Sequence, residues 1–297
     1  MIILDYSQVA LAAIFMLEKD LKSDDIEGNK NLIRHAILSS ILSNKKKFQG
    51  EYGSDVVIAC DGFNYWRKDE FVHYKAGRKK AREDSNLDWK FIFDVMGQIR
   101  EDLKENFPYK IIRVDRAEAD DVIASIAKWT QSNDLSTTGI EEIPKKTLII
   151  SSDGDFKQLH KFSNIRQYSP MFKKYVEKPK NVQEFIYTHI AKGDRGDGIP
   201  SILNPDDCFV EGIRQKAMSS VRLGEFIKFG VDSCKNDTEK RNWHRNEKLI
   251  SFEKIPTDIE DAIIAVFNEP ANTNKNRIFK YLIDNQMRLL LNDIDSF

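Results

Sequence analysis

The sequence predicts an α/β protein: a central, mainly parallel sheet flanked by helices, followed by a helical C-terminal region. Three observations predict it. Short β-branched-rich runs, MIIL at 1–4, VVIAC at 56–60, KIIRV at 110–114 and TLIIS at 147–151, have the continuous apolar character of strands covered on both faces. Between them, at 8–19, 30–44, 88–105 and 121–130, apolar residues recur at helical spacing, and strand–helix alternation is the pattern of a parallel sheet. After about residue 180 the strand signal fades, and helical segments at 181–192, 211–229, 257–268 and 276–292 take over. The expected division is an α/β core over 1–192 and a helical region over 193–297. Residues 131–146, QSNDLSTTGIEEIPKK, are polar and punctuated by Gly and Pro, and read as a loop.

Composition bounds the function. Of 297 residues 41% are hydrophobic and 31% charged, which excludes disordered and fibrous classes. The longest apolar run, Val9 to Leu17, is far short of the roughly 20 residues that span a bilayer, and no basic segment precedes a signal-like stretch. A cytosolic location without membrane contact is expected. Cys60, Cys208 and Cys234 are odd in number and widely spaced, which argues against a disulfide framework or a zinc site. Cys60 sits inside a strand and reads as a small buried hydrophobe.

Taken in order, the elements end on acids. MIIL is followed by Asp5, VVIAC by Asp61 and TLIISS by Asp153, so three strands each deliver a carboxylate to the edge where parallel α/β sheets bind ligands. Any one of these could be a turn former or a helix N-cap. Three together, one of them Asp153-Gly154-Asp155, exceed that explanation. KIIRV is followed by Glu118-Ala119-Asp120-Asp121 at the start of a helix, where one acid suits the helix dipole but three surpass it. Glu118 and Asp121 share a helix face while Asp120 turns aside. Asp194 and Asp197 flank glycines in GDRGDG at 193–198.

These nine carboxylates are candidates for convergence at one sheet edge. Histidine and cysteine are missing from every cluster, so the implied ion is hard and oxygen-loving, Mg²⁺ with Mn²⁺ as substitute. Two such ions, roughly 3.5–4 Å apart, stabilise the attacking and leaving oxygens of an in-line phosphoryl displacement. Net charge is only −1, but it is sorted: VHYKAGRKKAR at 72–82 holds five Lys or Arg and no acid. Lys75, Arg78, Lys79, Lys80 and Arg82 are candidates to neutralise phosphates, and Tyr74 offers a ring on which a base can stack. Lys75 and Arg78 would face the same side of a helix. The smaller knot Lys45-Lys46-Lys47 reads as a solvated helix face.

In this order the segments ILDYS, VVIACDG, HYKAGR, AEADDVIA, IISSDGDFKQL and GDRGDGIP resemble the structure-specific 5′ nucleases: flap endonucleases, the 5′-nuclease domains of bacterial DNA polymerases, and phage 5′ exonucleases. The likeness is greatest to the ribonuclease H branch of T-even bacteriophages. It implies a PIN-like nuclease core and a metal-dependent 5′→3′ exonuclease and flap endonuclease. The implied substrates are RNA–DNA and DNA duplexes with a 5′ end or flap, and the implied role is removal of RNA primers in lagging-strand replication. By that resemblance Asp5, Asp61, Glu118 and Asp120 build one metal site, Asp153, Asp155, Asp194 and Asp197 a second, and Asp121 an outer shell. Lys75 and Arg78 grip the scissile phosphate as catalytic cations within an arch over about 62–95. A cytoplasmic location in an infected bacterial host follows if the phage likeness holds.

The chain departs from the family in GIPSILNPDDCFVEG, where a glycine-rich helix–hairpin–helix turn is usual, so duplex and monovalent-ion binding by 199–212 are not implied. No sliding-clamp peptide is evident before the first strand, and the C-terminal helices are candidates to bind a single-strand-binding protein. The alternatives are a PIN-type ribonuclease, which lacks the arch, and a mainly non-catalytic nucleic-acid-structure binder. An aspartyl phosphatase would want Asp-x-Asp at the first strand, where this chain has Asp5-Tyr6-Ser7.

Overall fold

The structure, a computed structural model, describes residues 1–17, 19, 21, 25–85, 87–138, 141–271 and 274–297. Strand β1 (Ile2–Asp5) leads into α1 (Tyr6–Met16) and the long α2 (Ile26–Tyr52). Then come β2 (Val56–Ala59), α3 (Trp66–Glu70), α4 (Gly77–Glu83), α5 (Trp89–Asn106), β3 (Lys110–Ile112) and α6 (Ala119–Asn133). A hairpin, β4 (Leu135–Thr138) and β5 (Glu141–Pro144), precedes β6 (Thr147–Ile150), β7 (Ile165–Ser169) and β8 (Lys174–Tyr175). The C-terminal part is helical: α7 (Val182–Lys192), α8 (Ser220–Phe229), α9 (Asp237–Ile250), α10 (Thr257–Asn268), α11 (Lys275–Asp284) and α12 (Arg288–Leu291).

The main sheet has the order β3-β2-β1-β6-β7-β8, and all neighbours are parallel except β7 and β8. Strand alternation splits its side chains between two cores. Ile2, Leu4, Ile58 and Leu148 face α1, α2, α5 and α11, whereas Ile3, Val57, Ala59 and Ile149 face α6 and α10. Both faces are therefore covered, which is why these strands read as unbroken apolar runs. A third cluster, with Phe71, Tyr74, Ile190, Phe226 and Trp243, seats α7, α8 and α9 against the segment after β2. The chain winds outward from β1 to β2 and β3 and then crosses to β6 on the other side of β1. The topological switch point, where such sheets bind ligands, lies between β1 and β6.

Several elements differ from the expectations. Residues 131–146 are not a loop throughout, because Leu135 pairs with Pro144 and Ser136 with Ile143 in the β4–β5 hairpin. Strands β7 and β8 were hidden by polar residues such as Gln167, which is buried and spends its amide on the carbonyls of Ser151 and Asp153. The helix expected from 211 begins only at Ser220, since Gly212 takes a φ of 66° and residues 213–219 form no regular secondary structure. Segment 276–292 breaks into α11 and α12 around Gln286, whose φ is 57°. Helix α1 ends at Met16, and of the expected continuation to 19 residue Glu18 lies outside the described residues. The knot Lys45-Lys46-Lys47 does not close a helix at 44: α2 runs on to Tyr52, Lys45 is buried, and Lys47 lies 4.0 Å from the Tyr168 ring centroid. Within the basic segment 62–95, Asn86 lies outside the described residues and the chain from Trp89 is α5, which enters the core at Ile92 and Val95.

Candidate active site

The strand ends bring their acids to one edge. Asp5 closes β1, is 4% exposed, caps α1 by accepting from Gln8 N at 3.2 Å, and accepts from Ser151 Oγ at 3.3 Å. Asp61 accepts from Ser7 Oγ at 2.8 Å and from Ala119 N at 3.1 Å, which ties the end of β2 to the starts of α1 and α6. Gly62 must be glycine here, because a Cβ would lie 2.0 Å from Val114 O. Asp153 follows β6 and accepts from Asp155 N at 2.9 Å, so the intervening Gly154 folds the two acids into a tight turn.

Electrostatics show that these groups share one space. Burial raises the pKa of Asp5 to about 7, with the charges of Asp61 and Asp153 adding to it. Burial raises Asp120 well above the carboxylate range, with Asp153 and Asp5 next in effect. Asp153 is raised by burial and by Asp155. Among the described residues no ion pair reaches Asp5, Asp61, Asp120 or Asp153. Crowded, desolvated carboxyls without a cation of the protein fit a divalent, oxygen-loving ion.

The opposite flank is already neutralised. Glu118 accepts from Arg67 Nη1 at 2.8 Å and from Tyr74 Oη at 2.9 Å, and pairs with Lys75. Asp197 accepts from Arg78 Nη2 at 2.6 Å and Tyr74 Oη at 2.9 Å, with Lys75 Nζ 3.7 Å away. Burial opposes the charge of Lys75, but Asp197 and Glu118 outweigh it and raise its pKa. The backbone cooperates: Lys75 adopts a φ of 56°, and its N–H donates to Asp197 O at 2.8 Å. Gly198 passes so close to this turn that a Cβ would meet His73 O at 2.9 Å.

Three sequence readings are corrected. Asp121 is fully buried and spends its carboxylate on Arg67 at 2.7 Å, Trp66 Nε1 at 3.0 Å and the Glu118 N–H at 3.0 Å, so it locks α6 and leaves no oxygen toward the cluster. Tyr74 is 4% exposed with its hydroxyl committed to two acids, so its ring is closed to a stacking base. Histidine is also not missing from the clusters: His189, on the last turn of α7, stands 3.1 Å from Asp155 Oδ1 and 3.2 Å from Asp194 Oδ2. Burial works against its charge, but hydrogen bonds to those acids raise its pKa to about 10. Ligand atoms of Asp155, His189 and Asp194 all lie within 4.8 Å of one another, a mixed oxygen and nitrogen donor set.

Sequence reasoning missed Arg67 and His189. The only signal for His189 was its place one helical turn before Gly193-Asp194; Arg67, in WRKDE, looked like any surface cation. Of the remaining cations, Arg78 is half-exposed, Lys79 pairs with Glu83 at 3.8 Å, and Arg82 lies over Phe93. The Lys80 side chain lies outside the described residues.

Residues 1–186 match the family model of the N-terminal, resolvase-like domain of 5′-3′ exonucleases, and residues 182–297 match that of the C-terminal part of T4 RNase H. The ribonuclease H of Enterobacteria phage T4 is 34% identical over 304 residues, covering 99% of this chain and 95% of that protein. Two solved structures share the fold. The phage T5 flap endonuclease in a pseudo-enzyme–product complex with DNA and metal ions superposes with a TM-score of 0.61 at 17% identity, covering 96% of this chain and 97% of the other. The T5 5′-exonuclease with bound zinc gives 0.59 at 18% identity, covering 97% and 98%.

Proposed function

The chain belongs to the 5′-3′ exonuclease family, and from that premise we propose that it hydrolyses phosphodiesters near 5′ ends and flaps of DNA and RNA–DNA duplexes in a divalent-metal-dependent reaction. The observation that carries this reading is the set of acids at the sheet edge, buried Asp5 with half-buried Asp61, Asp120 and Asp153, with no ion pair to a cation of the protein among the described residues and with Lys75 and Arg78 on the facing flank. The sequence set Glu118 in the first metal site and Asp153 in the second; because the Glu118 oxygens are engaged by Arg67, Tyr74 and Lys75 and the charge of Asp153 acts on Asp5 and Asp120, we assign Asp5, Asp61, Asp120 and Asp153 to one ion, and Asp155 and Asp194, with Asp197 beside them, to a second. Glu118 contributes by positioning Lys75. Bound Mg²⁺ or Mn²⁺ supplies positive charge that stabilises the attacking and leaving oxygens of an in-line displacement.

The chain's own residues do the rest. Lys75, kept protonated by Asp197 and Glu118, offers N–H donors to a phosphate placed against the acids, and Arg78 adds a half-exposed guanidinium beside it. Water attacks phosphorus as the bond to the leaving strand breaks, and the leaving oxygen takes up a proton. The basic segment from residue 62 to the start of α5 forms the arch over the strand, and RNA primers in lagging-strand replication are the natural substrate. The exposed Phe279, Ile283 and Leu289 of the C-terminal helices provide a surface for a single-strand-binding partner.

The test uses 5′-labelled flap and RNA–DNA duplexes with Mg²⁺ or EDTA. Cleavage is expected only with the metal, and Asp153→Asn combined with Asp155→Asn should abolish it while binding persists. Undiminished cleavage by the double variant would refute the reading.

A further inference from the structure

A second site lies at the other edge of the sheet. A cleft of about 300 Å³, at the small end of ligand-binding pockets, opens at the first residues of β7 and is lined by His160, Ser163, Arg166, Tyr175, Glu177 and Lys178, among others. The carboxylates gather where β6 ends; this cleft lies where the parallel strand β7 begins, so it is separate from the reaction. His160 is 4% exposed, yet its Nε2 is buried with no hydrogen-bond partner. A buried polar atom without a partner costs stability, and the ring that carries it lines the cleft.

The field in the cleft is positive. The Arg166 guanidinium lies 4.3 Å from the Tyr175 ring centroid and forms no ion pair among the described residues, and neither does Lys178. Burial lowers the pKa of His160 to about 4, and the charges of Lys178, Lys157 and Arg166 push it the same way. The ring is therefore neutral at physiological pH and carries a proton on one nitrogen for an acceptor. Glu177 is the one acid of the lining, against two unpaired cations.

We propose that this cleft binds a phosphate group, received by His160, Arg166 and Lys178, either in a nucleic-acid backbone or in a free mononucleotide. The inference goes beyond the proposed hydrolysis and does not depend on it. Arg166 is the natural fork for phosphoryl oxygens, with its flat face held against Tyr175 and its N–H edge free.

The test follows the assigned His160 imidazole resonance in the full-length protein, in EDTA, while inorganic phosphate, a deoxynucleoside monophosphate or a blunt duplex is added. An anion beside the ring favours its protonated form, so the apparent pKa of His160 should rise on binding. Arg166→Gln with Lys178→Gln, both exposed and therefore tolerable to the fold, should weaken that response by about tenfold or more. The same double variant should cleave a minimal flap in Mg²⁺ at the rate of the unaltered protein. A response to the small phosphates assigns the cleft to a free nucleotide, and a response to duplex alone assigns it to the backbone; either supports the proposal. No response to any of the three, or one unchanged in the double variant, overturns it. Because nothing is cleaved in EDTA, failure here leaves the nuclease reading to its own assay.

Discussion

Lys75 is where the site's two kinds of charge meet, since the same ammonium faces Glu118 and Asp197 and its charge also acts on Asp120. A group of that kind acts on a phosphate as charge develops on it, and contributes less to holding a long duplex. Lys75→Ala should therefore lower single-turnover cleavage by about 10² to 10³ while duplex affinity falls only a few-fold. Equal losses in rate and affinity, measured side by side, would demote it to a general phosphate contact. Asp5 makes a second prediction. Its pKa is raised in the folded chain to about 7, so between the ordinary carboxylate value and 7 the folded state binds the extra proton. The metal-free protein should then lose stability as pH rises from 5 to 8, and Asp5→Asn should flatten that loss by about 1–3 kcal/mol. Denaturant titrations in EDTA at both pH values read it, and a metal-free protein more stable at pH 8 would contradict it. At this scale the sequence was most readable where chemistry is local. An acid directly after an apolar strand has only one place to go. Tyr74 and Asp121 were misread because their burial comes from distant chain, the third core and Arg67, which no spacing reveals.

Strands β1, β2 and β6 and helices α5, α7 and α10 were legible because each carries one dominant period, apolar throughout or amphipathic. The β4–β5 hairpin, β7 and the stretch before α8 were not, because tertiary hydrogen bonds decide them. Gln167 satisfies the carbonyl of Ser151 just after β6, and Asn204 Oδ1 accepts from Lys216 N at 2.7 Å in a run without regular secondary structure where helical spacing suggested a helix. Helix α4 is the converse case. Residues 76–79 and 82–84 are exposed, so little apolar burial stabilises this stretch, although the turn before it is pinned through Tyr74 and Lys75. Limited trypsin should cut first between Lys75 and Arg82, and duplex with a 5′ flap should slow that cut. A first cut in α5 or the C-terminal helices, mapped by mass spectrometry, would show that the segment is not the accessible one.

Across the whole molecule a net charge of −1 conceals a sorted arrangement, with carboxyls that no described ion pair neutralises at the sheet edge and, beside them, acids paired with Arg67, Lys75 and Arg78. The strand ends of the parallel sheet deliver Asp5, Asp61 and Asp153, the start of α6 adds Asp120, the loop after α7 brings the charges of Asp194 and Asp197 to bear on Asp153, and the C-terminal helices close the flank through the cluster around Trp243. Similarity to a phage ribonuclease along nearly the whole chain agrees with that architecture. The central claim is that the acids form a site completed by divalent ions. Titration of the metal-free protein with Mn²⁺, followed by the loss of the free-ion paramagnetic resonance signal, tests it most directly. About two ions per chain should bind the unaltered protein, and fewer should bind after Asp153→Asn with Asp155→Asn. Binding of the same number with the same affinity by both proteins would contradict the account.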